Sequence, residues 1–388
     1  MDRAQVPGAI VGEEIVDHGP QDDTAMRQGW TYPPHPHPNF ADRRIPCMNI
    51  ANAAIRHLQD APFPDFVTRP AIDSLVSEAR RRLDREGPHD EAAFARDMAA
   101  RAIAEHADAA NDQHYELPPE FFQICLGKRL KYSCCLYPDA TTTLDQAEEL
   151  ALSQTCAHAG LEDGQAVLEL GCGWGSLSLW MAERYPNSRI TAVSNSHGQR
   201  GHIEAQAKAR GLTNLTVITC DMNDFQTEDL FDRIVSVEMF EHMANWRALL
   251  TRARGWLKAD GRMFVHIFTH RDAPYRFDHT DSGDFIAQHF FTGGVMPSRG
   301  LMRQFPDLFE VEQEWTWNGA NYQRTADDWL KNMDAQPERV MALMRETYGA
   351  DAALWKRRWR RFYMATAGLF GNDGGETWAV SHYRLKPA

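Results

Sequence analysis

The chain has 388 residues, 43% hydrophobic and 24% charged, which is the composition of a folded globular protein and not of a disordered one. Its 54 Asp and Glu residues outnumber its 41 Lys and Arg residues. The resulting net charge of -13 argues against a nucleic-acid partner and against stable association with an anionic membrane surface.

Several classes of protein are further disfavoured by local sequence. The first 25 residues carry many acidic side chains and no apolar signal-peptide core, and no later segment reaches the length of a membrane span, so we expect a cytoplasmic protein. The seven cysteines show no regular CxxC pairing, which predicts reduced thiols without a structural metal site. A homodimer is compatible with the sequence.

The N-terminal third is expected to contain an extension and a helical domain. Residues 1–45 include the stretch YPPHPHPN at 32–39, whose prolines favour extended backbone, and we interpret His35 and His37 there as linker residues and not as metal ligands. Apolar residues such as Ile72, Leu75 and Leu83 recur at helical spacing, which predicts a helical domain over residues 46–145.

From residue 146 to 388, short β-branched runs alternate with amphipathic helices, the pattern of a doubly wound, mostly parallel sheet. The predicted strands are 166–170, 189–193, 215–219, 233–237 and 263–268, followed late in the chain by 309–317 and 378–385. The predicted helices are 176–184, 199–210, 246–257, 326–347 and 353–370.

The turn after the first strand has the sequence ELGCGWG at 169–175. Its three glycines permit a tight turn and close approach of a ligand, and an acidic residue at the end of the strand can bind a cationic amine or a ribose hydroxyl. A dinucleotide-binding turn would read GxGxxG, with a carboxylate about 20 residues later. Here the spacing is GxGxG and the second strand ends in Ser194-Asn195-Ser196, which favours S-adenosylmethionine over a nicotinamide cofactor.

Further motifs occur in order after this turn: SNSxxQ at 194–199, CDM at 220–222 and EMFEH at 238–242. Together with KYSCC at 131–135, FFTGG at 290–294 and WLKNM at 329–333, they give residues 104–385 a close resemblance to one family. The sequence resembles the coclaurine N-methyltransferase branch of the cyclopropane fatty acid synthase superfamily, which consists of class I S-adenosylmethionine-dependent methyltransferases.

This resemblance implies an α/β fold, a Rossmann-like sheet that is parallel with one antiparallel late strand. It also implies that the helical domain supplies a lid over the donor site, and that helical insertions at about 273–308 and 325–375 bind the acceptor. The cofactor would be S-adenosylmethionine, with S-adenosylhomocysteine as product and no metal. The donor-binding positions carried over are Tyr132, Ser133, Glu169, Gly171, Gly173, Gly175, Asn195, Gln199, Asp221 and Met222.

The acceptor site is expected at the end of the fourth strand. Glu238 and Glu241 can attract an ammonium group, and His242 can accept its proton, because an alkylamine must lose a proton before its lone pair can attack. The resemblance assigns the same three residues to substrate binding and proton removal in a small, aromatic or apolar amine acceptor. Further substrate-binding positions are Cys134, His266, Phe290, Phe291, Tyr322 and Trp329.

Two alternative reactions remain open at this point. In cyclopropane synthases a bicarbonate ion is held by a Cys, a Glu, a His and a Tyr, and the resemblance places Cys134, Glu241, His266 and Tyr322 at those positions. Modification of unsaturated acyl chains is therefore one alternative, and methylation of a small thiol is another. A non-catalytic nucleoside-binding module is disfavoured because the acceptor residues are all present.

Overall fold

The computed structural model describes residues 60–105, 117–278, 280 and 284–388, and the residues from 60 onward belong to one compact unit. The extension expected at 1–45 and the residues 106–116 lie outside the described residues. The α-helices are α1 (Asp65–Glu86), α2 (Glu91–Met98), α3 (Pro119–Cys125), α4 (Leu144–Ala159), α5 (Ser176–Arg184), α6 (His197–Ala209), α7 (Trp246–Gly255), α8 (Phe285–His289), α9 (Ala320–Ala335), α10 (Pro337–Tyr348) and α11 (Ala352–Gly371).

Seven strands form the central sheet, in the order β3-β2-β1-β4-β5-β9-β8. They are β1 (Ala166–Leu170), β2 (Arg189–Ser194), β3 (Leu215–Thr219), β4 (Phe231–Val237), β5 (Leu257–His270), β8 (Phe309–Trp317) and β9 (Trp378–Pro387). The first five pair in parallel, and β9 is antiparallel to both of its neighbours. The prediction of a parallel sheet with one antiparallel late strand is confirmed.

The strand order reverses between β1 and β4. The chain leaves β1 toward β2 on one side and leaves β4 toward β5 on the other, so a crevice opens beyond the carboxyl ends of these two strands. Ligands of open α/β sheets bind in such a crevice. The ELGCGWG turn and the EMFEH segment follow β1 and β4, and the fold therefore brings them to the same edge of the sheet.

Local sequence explains where several helices begin and end. The Thr143 hydroxyl accepts a hydrogen bond from the backbone N–H of Gln146, and the Thr143 backbone N–H donates to the side-chain oxygen of Gln146, a capping box that starts α4. Gly160 ends the same helix at φ 66°, a conformation that favours glycine. The helix predicted over 326–347 is two helices in the structure, because Pro337 lacks a backbone N–H and starts α10 after a break at Gln336.

The segment at about 273–308, expected to be a helical insertion, has a different structure. It contains a short antiparallel pair, β6 (Tyr275–Arg276) and β7 (Val295–Met296), and one helix of five residues, α8. Gly293, at φ 74°, lies just before β7, where helical backbone cannot continue. The second insertion, at about 325–375, is helical, and α9 and α11 pack against each other there. None of the helices in the described ranges combines the length and apolarity needed to cross a membrane.

Candidate active site

The glycine turn after β1 is hydrogen-bonded to the end of the neighbouring strand β2. The backbone N–H groups of Gly171 and Cys172 both donate to the carbonyl of Val193 on β2, at 3.0 Å each. Gly171, Gly173 and Gly175 all have positive φ, at 79°, 51° and 80°. Side chains at these positions would be strained, which explains why the turn needs three glycines in five residues.

The three glycines differ in what surrounds them. A Cβ atom at Gly171 would lie 2.5 Å from the Met239 side chain, and one at Gly175 would lie 2.5 Å from Ile203, whereas one at Gly173 would meet nothing within 4 Å. Gly171 and Gly175 therefore permit close packing. Gly173 faces open space, as a backbone that must approach a ligand requires.

That space belongs to a cavity that is open to solvent, with an empty volume of about 830 Å³ including its mouth. Six of the ten predicted donor-binding residues line it: Gly171, Gly173, Asn195, Gln199, Asp221 and Met222. Glu238 and His242, from the predicted acceptor site, line the same cavity. The cavity therefore adjoins both predicted sites.

Gln199 shows that this cavity is built to receive a polar ligand. Its side chain is 2% exposed, and its Oε1 accepts a 2.6 Å hydrogen bond from Ser194, but its Nε2 has no hydrogen-bond partner among the described residues. A buried amide donor without a partner is destabilising unless a bound molecule satisfies it. Asp221 and Met222, on the same wall, add a carboxylate and an apolar surface.

A second cavity, of about 580 Å³, lies on the other side of the glycine turn. Its lining includes Tyr132, Ser133 and Glu169, and it shares Gly171, Gly173 and Glu238 with the first cavity. The described linings of the two cavities together contain nine of the ten predicted donor-binding residues, all except Gly175. Its place against Ile203 explains this difference.

Glu169 is buried at the end of β1 and is held by a hydrogen bond from the Ser178 hydroxyl at the start of α5. Burial raises its pKa to about 8, and the Ser178 bond opposes this rise only in part. A cation placed beside this carboxylate would favour its ionised form.

Segment 127–135, which carries Tyr132 and Ser133, is fixed by a carboxylate from α4. Glu148 is fully buried and accepts hydrogen bonds from the backbone N–H groups of Gly127 (2.9 Å), Arg129 (2.7 Å) and Lys131 (3.1 Å). The buried Lys131 ammonium in turn donates to Ser133 and to the Cys134 carbonyl, at 2.6 Å each. Sequence reasoning did not single out Glu148 or Lys131, although Lys131 begins the KYSCC motif.

Glu238, from the predicted acceptor site, is the centre of a buried group of hydrogen bonds. Its Oε1 accepts from the backbone N–H of Cys134 at 2.9 Å and lies 3.2 Å from Nε2 of His266, while its Oε2 accepts from the Tyr322 hydroxyl at 2.6 Å. The residue adopts φ 47°, an unfavourable conformation for a side chain larger than glycine. Burial raises its pKa, and the positive charge of Lys131 opposes the rise.

Glu241 lies behind this group and is completely buried. Within the described part of the chain its carboxylate oxygens have no hydrogen-bond partner of regular geometry, although the backbone N–H groups of Glu241 and Phe268 are close enough to oppose the rise of its pKa. Burial, reinforced by repulsion from Glu238, holds its pKa well above the usual range. Two acidic groups that cannot easily ionise together are typical of catalytic sites.

Of the predicted substrate-binding aromatic residues, some lie near the main cavity and one lies in the hydrophobic core. The His242 ring stacks on Phe291, with centroids 4.4 Å apart, at the wall of the main cavity. Trp329 packs edge-on against Tyr322 at 6.2 Å. Phe290, in contrast, is fully buried and stacks on Phe362 of α11 at 4.3 Å. Its packing is that of a core residue.

Within the described ranges, no group of three or more His, Cys, Asp or Glu side chains is placed to hold a metal ion. The six described cysteines are free thiols, and Cys134 and Cys135 are buried.

Comparison with known proteins places this geometry in a family. The family described as mycolic acid cyclopropane synthetase matches residues 103–374. The (S)-coclaurine N-methyltransferase of Thalictrum flavum subsp. glaucum is 37% identical over 289 residues, which are 73% of this chain and 80% of that protein. The cyclopropane-fatty-acyl-phospholipid synthase of Escherichia coli (strain K12) is 29% identical over 270 residues, 69% of this chain and 66% of that protein.

A solved structure of coclaurine N-methyltransferase, bound to N-methylheliamine and SAH, superposes with a TM-score of 0.81. It is 31% identical in sequence and covers 87% of this chain and 99% of its own. The match, the sheet order and the glycine turn agree with one another. The chain therefore belongs to the mycolic acid cyclopropane synthetase family, as an S-adenosylmethionine-dependent methyltransferase similar to coclaurine N-methyltransferase.

Proposed function

We propose that the protein transfers the methyl group of S-adenosylmethionine to the nitrogen of a small, apolar or aromatic amine. S-adenosylmethionine supplies an electrophilic methyl group on a sulfonium. The contribution of the chain is to align the amine with that methyl group, to exclude water and to remove the proton that blocks the nitrogen lone pair.

On the donor side, we assign the cofactor to the main cavity. Gly173 leaves room for it, the free Nε2 of Gln199 is a donor for one of its polar atoms, and Asp221 with Met222 suits an adenine. Glu169, Tyr132 and Ser133 line the adjoining cavity, where the Glu169 carboxylate would attract the amino group of the methionine part. The positive charge of the cofactor fits an acidic pocket.

On the acceptor side, the Glu238 carboxylate attracts the ammonium form of the substrate, and His242 takes its proton. Glu241, which is buried and has a raised pKa, stays protonated beside it. The nitrogen lone pair then forms the new bond to carbon as the carbon–sulfur bond breaks toward sulfur, and one proton is released for each methyl group transferred. The stacked pair of His242 and Phe291 gives the base a fixed orientation and an apolar neighbour.

The position of Glu238 is the observation that carries this proposal over cyclopropanation. Three of the residues that the resemblance assigns to bicarbonate, namely Cys134, His266 and Tyr322, instead surround the carboxylate of Glu238. A carboxylate has the planar shape and the charge of bicarbonate. The Glu238 carboxylate therefore occupies the position at which cyclopropanation would require a bicarbonate ion from solution.

The test is a screen of amines, small thiols and unsaturated phospholipids with labelled S-adenosylmethionine. We expect N-methylated product, at a rate that rises with pH as the amine loses its proton. Product on phospholipid acyl chains that depends on added bicarbonate, without turnover of any amine, would reject the proposal. Product on thiols alone would replace the nitrogen acceptor by sulfur.

A variant of Glu238 sharpens this test. Glu238→Ala should lower kcat with an amine by roughly 10² to 10⁴, because it removes a charged group beside the reacting nitrogen. The three donors around the vacated space remain, so added formate should restore part of the activity. Ser381→Ala, which removes a buried hydrogen bond to Thr269 away from the site, is the matched control. Full activity of Glu238→Ala without formate would remove Glu238 from the chemistry.

A further inference from the structure

Three histidines form a continuous row behind Glu238. Nε2 of His266 lies 3.2 Å from Oε1 of Glu238, and its Nδ1 lies 2.8 Å from Nε2 of His382. Nδ1 of His382 is 2.8 Å from Nδ1 of His158, whose Nε2 is 2.7 Å from the side-chain amide nitrogen of Gln154. Every ring nitrogen of the three imidazoles is therefore used in one unbroken chain of hydrogen bonds.

The row crosses the molecule from the active site toward the surface. His266 lies on β5 and His382 directly opposite it on β9, and both are completely buried. His158, on α4, is 8% exposed, and Gln154 one turn earlier is partly exposed. Trp315 of β8 stacks flat on the His158 ring at 3.8 Å and fixes its orientation.

The hydrogen bonds of the row are consistent with one direction. The amide nitrogen of Gln154 can only donate, so Nε2 of His158 accepts and its Nδ1 carries the proton. That proton is donated to Nδ1 of His382, whose Nε2–H is donated to His266, whose Nε2–H is donated to Glu238. In this arrangement all three rings are neutral and Glu238 is ionised, with no donor or acceptor left over.

Neutral rings agree with the surroundings. Burial lowers the pKa of His266 and of His382 well below the usual range, and it lowers the pKa of His158 to about 4. The charged groups that act on the row from neighbouring elements are Lys131, beside its inner end, and Arg384, beside His158; both are cations and lower the imidazole pKa values further. Burying three imidazoles is unfavourable compared with apolar residues of similar size, which points to a use.

We propose that His266, His382 and His158 carry the proton released by methyl transfer from Glu238 to solvent at α4. This inference rests on the proposed amine methylation. Glu238 and His242 line the same cavity, and in this proposal Glu238 takes over the proton that His242 removes from the amine.

The transfer balances as follows. Glu238 passes a proton to Nε2 of His266, whose Nδ1–H passes to Nε2 of His382. The Nδ1–H of His382 then passes to Nδ1 of His158, and the Nε2–H of His158 leaves for solvent. Before this transfer Glu238 is protonated, the rings carry the opposite tautomers, and the Gln154 amide is turned so that its oxygen accepts from Nε2–H of His158. Afterwards the rings have the tautomers described above, and the rings and the amide must turn back before the next proton can leave. His382 and His158 do not touch the substrate and act through Glu238.

The decisive variant is His382→Gln. A glutamine amide can still donate one hydrogen bond and accept another, but it cannot pass a proton on. We expect kcat for the amine found in the screen to fall about 10²-fold, at the lower end of the range for acid–base groups, and to show a larger solvent deuterium isotope effect. The dissociation constant for S-adenosylmethionine and the melting temperature should stay close to those of the wild type.

A second variant tests the outer end. His158→Ala should also lose activity, and imidazole added to the buffer should restore it, because this end of the row reaches the surface. Ser381→Ala, on the same strand as His382 and equally buried, is the control for disturbance of β9. A merely structural role would give no rescue by imidazole and no change in the isotope effect.

The outcomes separate the two proposals. If the wild type methylates an amine and folded His382→Gln keeps a kcat within twofold of Ser381→Ala, the relay is rejected and the proposed function stands. If the wild type methylates no amine, the proposed function is rejected and the relay with it. A loss of activity in both histidine variants, with rescue of His158→Ala by imidazole, supports the relay.

Discussion

Gly173 and Gly175 share a backbone conformation but meet different surroundings, which allows the ligand contact to be separated from packing. Both have positive φ, so alanine at either position is strained by about 1 kcal/mol or more. Only at Gly175 would the new Cβ also clash, 2.5 Å from Ile203. Overpacking of this kind adds about 1–3 kcal/mol.

We therefore expect opposite effects from the two substitutions. Gly173→Ala should fold with a small loss of stability and bind S-adenosylmethionine at least tenfold more weakly, because the methyl group occupies ligand space. Gly175→Ala should lose more stability and less affinity. Thermal unfolding and calorimetric titration of both variants check this prediction. Unchanged affinity in folded Gly173→Ala would contradict the placement of the donor against this turn.

The site at Glu238 shows what residue types alone could and could not predict. The sequence placed Glu238, Glu241 and His242 at one strand end, and the resemblance added Cys134, His266 and Tyr322. Which carboxylate these three residues contact depends on the positive φ of Glu238, which turns its side chain toward them. No local pattern predicts a non-glycine residue in that conformation, so the sequence did not predict the contacts of Glu238; the resemblance grouped these three residues with Glu241 around a bicarbonate ion.

At the scale of elements, Glu148 links helix α4 to segment 127–135, which carries the predicted donor-binding residues Tyr132 and Ser133. Three backbone N–H groups depend on its single carboxylate, since Gly127, Arg129 and Lys131 all donate to it. Burial raises its pKa to about 7, although these bonds stabilise the ionised form. Segment 127–135, which has no regular structure, is thereby attached to α4.

Glu148→Ala should release this segment. Loss of the acceptor leaves buried amides unsatisfied, at about 1–3 kcal/mol each where water cannot reach them, so we expect a clear drop in melting temperature and weaker S-adenosylmethionine binding. Glu149→Ala, the next residue on the same helix, removes an exposed ion pair with Arg129 and should change the stability by less than about 1 kcal/mol. Equal stability of the two variants would show that Glu148 does not anchor the segment.

The regular elements were largely predictable because their signals are local. The strands 166–170 and 215–219 and the helix 176–184 have the predicted bounds, since continuous apolar runs and the glycine turn delimit them. The histidine row was not predictable. His158, His266 and His382 lie on a helix and two strands, more than 100 residues apart in sequence for each pair, and only the antiparallel register of β5 and β9 brings the last two together.

At the scale of the whole molecule, the buried carboxylates and buried histidines act on stability in different pH ranges. A carboxyl with a raised pKa binds a proton in the folded state that the unfolded chain has lost, so the free energy of unfolding falls as pH rises from about 4.5 to the folded value. A histidine with a lowered pKa has the reverse effect and weakens the fold below about pH 6.5. Above that pH the histidine contribution is constant.

We therefore expect the melting temperature of the enzyme without S-adenosylmethionine to decline between pH 6.5 and 8.5. The groups responsible are Glu148, with a pKa of about 7, and Glu169, with a pKa of about 8, together with Glu241, whose pKa is also raised. Calorimetry across this range measures the slope. Glu169→Gln should flatten it, since a neutral amide does not titrate, and a wild-type melting temperature that stays level or rises would contradict the prediction.

The same titration couples stability to the donor. If Glu169 faces the cationic cofactor, S-adenosylmethionine binds best to the ionised carboxylate, so its affinity should rise with pH up to about 8 and then level off. Binding at pH 7 should release protons, which titrations in buffers of different ionisation enthalpy can count, and Glu169→Gln should abolish that release. Between pH 6.5 and 8.5 the enzyme without cofactor should therefore lose stability while its affinity for S-adenosylmethionine rises. Over the same range a growing fraction of an amine acceptor is unprotonated and reactive. Proton release at pH 7 that persists in Glu169→Gln would move the linkage to another group and separate Glu169 from the donor.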